Sequence, residues 1–161
     1  MKLLIVDDSL TSRTMLEHIT RKWGFDPVVA EDGEVAWQII QQPDAPLLML
    51  VDWEMPRLDG LGLSLRIRDQ VTKIQPFIIF LTGRAETKDV VAGLEAGAND
   101  YIVKPFENTE LNARLQAGKR LLELQSELKK TQDELTYERE VIENILLKMR
   151  AAKPFETSQL R

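Results

Sequence analysis

The chain has 161 residues and a formal net charge of −5, which is enough for one ordinary domain with a further segment attached. The acidic balance argues against a nucleic-acid-binding surface, which needs clustered lysines and arginines. The absence of cysteine excludes disulfides and thiolate chemistry, and no apolar run in the sequence is long enough to cross a membrane. Because Met1 and Lys2 lead directly into a strand-like run, we expect no signal peptide and a cytoplasmic protein.

Short apolar runs alternate with helix-like stretches along the chain as far as about residue 106. The predicted strands cover residues 3–6, 25–30, 47–51, 77–81 and 101–103. Apolar residues at helical spacing follow each of the first four strands. Pro27 interrupts the second strand and predicts an edge position for it. The alternation predicts an α/β fold, with a doubly wound parallel sheet and helices on both of its faces.

Polar residues follow four of these apolar runs directly. The first run ends in Asp7 and Asp8, the third in Asp52, the fourth in Thr82 and the last in Lys104. Right-handed crossovers bring the carboxyl ends of all parallel strands to one edge of the sheet, where ligands bind. We therefore expect three carboxylates, a hydroxyl and an ammonium group to meet in one cleft that suits a divalent cation and a phosphoryl group.

The chemistry of this cleft depends on how the carboxylates are arranged. Mg²⁺ prefers oxygen ligands, but adjacent strand residues point to opposite faces. Either Asp7 or Asp8 therefore acts through water, or both lie beyond the end of the strand. A carboxylate can attack phosphorus when nearby cations neutralise the phosphoryl charge, and the Thr82 hydroxyl can bond a phosphoryl oxygen. Each residue alone has an ordinary explanation, such as a helix cap at Asp8 or Ser9, and only their recurrence indicates a function.

Four stretches of the sequence carry a resemblance to a known family. They are residues 5–9 (IVDDS), 51–60 (VDWEMPRLDG), 81–83 (LTG) and 97–106 (GANDYIVKPF). With these motifs, residues 1 to about 122 closely resemble the receiver domain of two-component response regulators. The resemblance implies a flavodoxin-like sheet of five strands in the order 2-1-3-4-5. It also implies a phosphoryl group that is accepted from a sensor histidine kinase or a phosphotransfer protein.

The same resemblance assigns a role to each polar residue of the cleft. Asp52 is implied to be the phosphoacceptor, and Mg²⁺ is implied to be the cofactor. The metal ligands it implies are Asp7, Asp8, Asp52 and the backbone carbonyl of Glu54. Thr82 and Lys104 are expected to contact the phosphoryl group, and Thr82 and Tyr101 to act as the switch pair. The Lys104–Pro105 bond is expected to be cis.

From about residue 107 the sequence changes character, because no proline occurs between Pro105 and Pro154. Apolar residues recur there every seven positions, at Leu121, Leu128, Leu135, Ile142 and Met149. A second set lies three positions after the first four, at Leu124, Thr131, Glu138 and Ile145, and its polar members Thr131 and Glu138 weaken the pattern. This is the a/d pattern of a coiled coil. A helix of about 40 residues is about 60 Å long, so we expect a parallel homodimer through residues 121–149, with Glu134 facing Arg139 of the second copy. A single amphipathic helix that covers its own domain is the alternative.

The predicted organisation is a receiver domain over residues 1–120, a signalling helix over 121–150, and a tail over 151–161 that starts an output domain. Residues 137–149 resemble the helix that leads into SpoIIE/RsbU-type Ser/Thr phosphatases, so we expect that output first. GGDEF diguanylate cyclases and HD-type phosphodiesterases follow similar linkers and come next. We expect the receiver itself not to be an enzyme and not to contact nucleic acid or membrane. A constitutive dimerisation scaffold with an idle acidic pocket remains open, whereas Ser9 disfavours a haloacid-type phosphatase, which carries a second Asp there.

Overall fold

The computed structural model describes residues 1–70, 72 and 74–152, so most of the predicted tail, residues 153–161, lies outside the described residues. Its strands are β1 (Lys2–Val6), β2 (Asp26–Ala30), β3 (Leu48–Asp52), β4 (Phe77–Thr82) and β5 (Asp100–Val103). Its helices are α1 (Leu10–Lys22), α2 (Gly33–Ile40), α3 (Gly60–Arg68), α4 (Thr87–Glu95) and α5 (Asn108–Ala151). The sheet is parallel throughout, in the order β2-β1-β3-β4-β5. The flavodoxin-like fold, the long helix and the edge position of Pro27 are confirmed.

The three central strands β1, β3 and β4 are buried on both faces, which explains why they read as continuous apolar runs. Their side chains alternate between two cores. One core joins Leu4, Met49 and Ile78 to Leu63 and Ile67 of α3. The other joins strand residues such as Leu3, Leu50 and Ile79 to Leu16 of α1 and to Leu111 and Leu115 of α5. Each fully buried aliphatic side chain contributes about 1.5–3 kcal/mol, so the sheet is a firm base for its carboxyl edge.

The loops at the carboxyl edge of β1, β2 and β3 each end in a polar residue that caps the following helix. The Ser9 hydroxyl accepts the Ser12 amide, and Asp32 and Asp59 accept the amides of residues 35 and 62 at 2.9 and 2.8 Å. Such caps satisfy amides that the first turn of a helix leaves unpaired. Since Ser9 caps α1, Asp8 is not needed as a cap and its carboxylate is free for another role.

The chain divides into two compact units, one covering Met1–Gln125 and one beginning at Ser126, and the division falls within α5. Within the first unit, Leu111, Leu115 and Leu122 are buried, and Gly118 lies so close to Phe77 that a Cβ would be 2.8 Å from its ring. By contrast, the residues at the apolar a and d positions expose 42% to 67% of their surface. Among the described residues, no helix is both long and apolar enough to span a membrane.

Candidate phosphoacceptor and metal site

Three carboxylates meet at the carboxyl edge of the sheet. One oxygen from each of Asp7, Asp8 and Asp52 lies within 4.8 Å of the other two. Strand β1 ends at Val6, so Asp7 and Asp8 both lie beyond it, which is the second of the two arrangements expected from the sequence. Asp7 and Asp52 are buried and Asp8 is exposed. The cleft thus has a buried floor and one carboxylate that is open to solvent.

The Asp7 carboxylate is held by several neighbours from the start of α1. Its Oδ1 accepts the backbone N–H of Ser9 at 2.8 Å, and its Oδ2 accepts the Ser12 hydroxyl at 2.6 Å. Arg13 Nη1 donates to the backbone oxygen of Asp7 at 2.7 Å. Because both carboxylate oxygens and the backbone are fixed, Asp7 presents its remaining lone pairs in one direction.

Asp52, the last residue of β3, lies among charges that shift its pKa in opposite directions. Its Oδ1 lies 3.4 Å from Lys104 Nζ and accepts the Glu54 N–H at 3.3 Å. Burial raises the pKa of the Asp52 carboxyl; Lys104 lowers this pKa and the charge of Asp7 raises it again. Lys104 Nζ is also 3.7 Å from Asp7 Oδ2. One ammonium therefore serves two buried carboxylates, and a further cation would relieve the remaining repulsion.

Thr82 and Lys104 lie on the same side of Asp52. Thr82 ends the neighbouring strand β4, and Lys104 follows β5, the next strand in the sheet. Asp52 pairs with Leu81 in the sheet register, so Thr82 is one position beyond its cross-strand partner. Thr82 is buried, and its Oγ1 accepts the backbone N–H of Arg84 at 3.0 Å. The Lys104 N–H donates to the Thr82 carbonyl at 2.7 Å, and the Lys104–Pro105 bond is cis, as expected. The structure thus brings together all five residues that follow the strands.

The chain that carries this site matches a known protein family. Residues 3–116 match the family described as response regulator receiver domain. The chain belongs to the response regulator receiver family. Receiver domains bind Mg²⁺ at an acidic pocket of this kind and interact with histidine kinases or phosphotransfer proteins. A receiver domain alone is not a classical enzyme, and this one is a component of a two-component system.

Individual relatives cover the receiver domain and differ beyond it. A chemotaxis protein CheY homolog of Campylobacter jejuni is 36% identical over 72% of this chain and 90% of that protein. The alkaline phosphatase synthesis transcriptional regulatory protein PhoP of Bacillus subtilis is 39% identical over 72% of this chain and 47% of that protein. A solved probable two-component system response regulator/GGDEF domain protein has a TM-score of 0.70 at 33% identity, over 76% of this chain and 50% of that chain. The chain spans 47% of the length of the first curated relatives it matches.

The predicted switch residue of the receiver, Tyr101, lies on β5 beside an aromatic group. Its ring meets Trp53 edge-on at 6.0 Å, and Trp53 packs against Phe80 at 5.5 Å. The Tyr101 hydroxyl donates to the backbone carbonyl of Arg84. Burial raises the pKa of the Tyr101 phenol, which as a phenol is protonated at neutral pH in any case and can donate this bond. Arg84 thus bonds Thr82 through its N–H and Tyr101 through its carbonyl.

Sequence reasoning missed Arg84, which borders the receiver's acidic cleft. Its Nε donates to Glu54 Oε1 at 2.8 Å, and its guanidinium lies 5.7 Å from the Trp53 ring. An open cleft of about 390 Å³ between them is lined by Asp8, Glu54 and Arg84 among others. A signal was present in the sequence, because Arg84 follows Thr82 by two residues as Glu54 follows Asp52, and β3 and β4 are neighbours.

Proposed function

We propose that this receiver accepts a phosphoryl group on Asp52 from a sensor histidine kinase or a phosphotransfer protein and transmits the change through α5. The observation that carries the proposal is the position of Asp52. It is a buried carboxylate with a raised pKa, grouped with Asp7 and Asp8, and it lies 3.4 Å from Lys104. Such an arrangement holds a reactive carboxylate beside charges that stabilise a phosphoryl group.

The cofactor we propose is Mg²⁺. Asp7, Asp8, Asp52 and the backbone carbonyl of Glu54 would hold it. The donors fit, because all are oxygens and the three carboxylates outnumber the one ammonium group among them. When bound, Mg²⁺ supplies charge neutralisation for the phosphoryl oxygens. The exposure of Asp8 leaves one side of this donor set open to solvent.

The transfer itself requires little of the protein beyond positioning. An Asp52 carboxylate oxygen forms the bond to phosphorus while the bond from phosphorus to the donor nitrogen breaks, and the electron pair leaves with that nitrogen. Lys104 would then bond a phosphoryl oxygen, since its ammonium already lies beside Asp52. The Thr82 hydroxyl would donate a hydrogen bond to a second phosphoryl oxygen.

The switch that we propose runs from Thr82 to Tyr101 through Arg84. A phosphoryl group adds about −1.5 to −2 charges and strong acceptor oxygens. A Thr82 hydroxyl that turns towards it weakens its bond from the Arg84 N–H, which is 3.0 Å long in this structure. The Arg84 carbonyl holds the Tyr101 hydroxyl, so a shift of this peptide releases Tyr101 to turn inwards. Tyr101 is therefore the proposed relay to the surface formed by α4 and β5.

The output side of the proposal concerns residues 121–149. The exposed apolar seam of α5 supports a homodimer. Parallel pairing is the simplest arrangement and would place Glu134 of one copy opposite Arg139 of the other. We retain residues 1–120 as receiver, 121–150 as signalling helix and 151–161 as the start of an output domain. The likeness of residues 137–149 to a phosphatase linker supports a Ser/Thr phosphatase output. The solved response regulator/GGDEF domain relative supports a cyclic-di-GMP enzyme as the second candidate. A cytoplasmic location is part of the proposal, because histidine kinases draw their phosphoryl groups from ATP.

The test is treatment with acetyl phosphate and Mg²⁺, followed by intact mass measurement. We expect a mass increase of about 80 Da, the mass of one phosphoryl group, in the wild type. No increase is expected in Asp52→Asn or when EDTA removes the metal. Asp59→Asn is the matched control, because Asp59 caps α3 at the end of the loop after Asp52. The Asp59→Asn variant should still gain the phosphoryl group. Absence of any adduct in the wild type would leave the alternative of a constitutive dimerisation scaffold.

A further inference from the structure

The loop that joins β3 to α3, residues 53–59, is attached to the start of α2. Arg57 Nη2 donates to Asp32 Oδ2, while Asp32 Oδ1 accepts the N–H of Val35 at 2.9 Å. The Asp32 side chain is only 2% exposed. One buried carboxylate therefore caps α2 and holds the loop at the same time, and Arg57 is its ionic partner.

The backbone of Arg57 adopts a strained, left-handed conformation. Its φ is +66°, and Arg57 is the only non-glycine residue with positive φ in the described part of the chain. This conformation costs a non-glycine residue about 1–2 kcal/mol and persists only where surrounding contacts impose it. Glycine would adopt it freely, so Arg57 is held in this conformation by its contacts. The contact that this side chain makes is the one with Asp32.

Close backbone packing shows how tightly the loop is attached at both ends. A Cβ on Gly33, the first residue of α2, would lie 2.3 Å from the carbonyl oxygen of Leu58. At the base of the loop, the Gly60 N–H donates to the Trp53 carbonyl at 3.0 Å. A Cβ on Gly60 would lie 2.6 Å from the Asp52 carbonyl oxygen. The two ends of the loop therefore contact each other at the end of β3, and its residue Leu58 packs against the first residue of α2.

Glu54 lies inside this attached loop. Its N–H donates to Asp52 Oδ1 at 3.3 Å, and its carbonyl is the proposed backbone ligand of Mg²⁺. We propose that the Arg57–Asp32 ion pair is a positioning pair for the metal site, which acts by holding the loop so that the Glu54 carbonyl faces the three carboxylates. This inference rests on the proposed function. Neither Arg57 nor Asp32 belongs to the acid cluster itself, so their effect passes through the loop backbone.

Three variants and a control separate positioning from general stability. Arg57→Gly removes the ion pair and leaves the buried Asp32 carboxylate without its ionic partner, a cost that relief of the backbone strain at Arg57 partly offsets. Its Mg²⁺ binding is therefore measured under conditions where its unfolding curve shows it fully folded. Asp32→Asn keeps the helix cap, because Asn caps as well as Asp, but removes the charge. Arg57→Lys restores a cation as the conservative rescue. Arg66→Ala is the matched control, because Arg66 also reaches from α3 to α2, pairing with Glu34 at 3.4 Å, at a site outside the loop.

The measurements are made on the full chain. Calorimetric titration gives the Mg²⁺ dissociation constant, and hydrogen exchange without metal gives the protection of the Glu54 and Gly60 amides. We expect Mg²⁺ binding about tenfold weaker in Arg57→Gly and Asp32→Asn, the size typical of lost outer-shell contacts, with faster amide exchange. Arg57→Lys should recover part of both, and Arg66→Ala should change neither.

The possible results distinguish this inference from the proposed function. If the wild type binds Mg²⁺ and both Arg57→Gly and Asp32→Asn bind it within about twofold of that affinity, the positioning role is wrong and the proposed function stands. The role is also wrong if only one of the two variants weakens binding, because the two residues would then not act as a pair. If the wild type itself binds no Mg²⁺, the proposed metal site and this inference fail together.

Discussion

Replacing Asp52 with asparagine should make the metal-free protein more stable. The change keeps the shape of the side chain and removes one of three carboxylates whose oxygens lie within 4.8 Å of one another. Two charges at that separation repel by about 1 kcal/mol in water and by about 3.5 kcal/mol at an effective dielectric constant of 20. Lys104, 3.4 Å from Asp52 Oδ1, offsets part of the repulsion. Because the pKa of Asp52 is raised overall, we expect a net gain of about 1–3 kcal/mol.

The dependence on pH and on metal follows from the same electrostatics. A raised pKa means that the folded protein takes up a proton at Asp52 at a pH where the unfolded chain does not. The wild type therefore gains stability relative to Asp52→Asn as the pH falls through this raised pKa, and the difference between the two narrows. Mg²⁺ at 100 times its dissociation constant should stabilise the wild type by about 2.7 kcal/mol and Asp52→Asn by much less.

The assay is urea unfolding in EDTA and in Mg²⁺, repeated from about pH 7.5 down to about pH 4.5, below which free carboxyls protonate. Asp44→Asn is the control of opposite sign. Asp44 is an exposed carboxylate whose pKa is lowered by its contact with Lys2, so its loss should slightly destabilise the protein. If Asp52→Asn proves less stable than the wild type in EDTA at neutral pH, Asp52 is satisfied by Lys104 alone. The acid cluster would then have no electrostatic need for a cation.

Further predictions concern the ammonium group, the helix seam and one close contact. Lys104→Ala should slow modification by acetyl phosphate by about 100-fold, the size expected for one lost charge-stabilising donor, measured as the rate of adduct formation. If the proposed dimer forms, Leu135→Lys at an a position should make the protein monomeric by light scattering, whereas Thr136→Lys beside it should not. Gly60→Ala should lower the free energy of unfolding by about 1–3 kcal/mol, because a Cβ there would lie 2.6 Å from a backbone oxygen. A Cβ on Gly83 would have no neighbouring atom within 4 Å, so Gly83→Ala should change the free energy of unfolding by less than about 0.5 kcal/mol.

The strand ends could be predicted because a parallel strand buried on both faces leaves a plain signal. It reads as an unbroken apolar run, and the first polar residue after it marks the carboxyl edge of the sheet. Asp52 and Thr82 were found in this way, and Lys104 was found after the shorter apolar run of β5, an edge strand. The arrangement of Asp7 and Asp8 could not be decided, since it depends on β1 ending at Val6. No local pattern distinguishes that end from one a residue later, because Asp7 is itself buried.

The contacts that surround the site were harder to predict than the site itself. Arg57 and Asp32 are 25 residues apart, and Arg84 and Glu54 are 30 apart. An arginine in a loop looks like an ordinary solvated charge until the fold shows which carboxylate it meets. The features of the long helix α5 could likewise be predicted only in part. Its heptads predicted the exposed seam, but the burial of Leu122 comes from the receiver core and not from the heptad pattern.

Asp52 is the proposed phosphoacceptor, and the most direct test of this role is to locate the phosphoryl group by tandem mass spectrometry. The full chain is treated with acetyl phosphate and Mg²⁺ and digested under conditions that preserve acyl phosphates. We predict that the modification of about 80 Da is found on Asp52, within the fragment that contains β3. Modification of Asp7 or Asp8 instead, or an unmodified Asp52 in a protein that still binds Mg²⁺, would contradict the assignment of Asp52 as the acceptor.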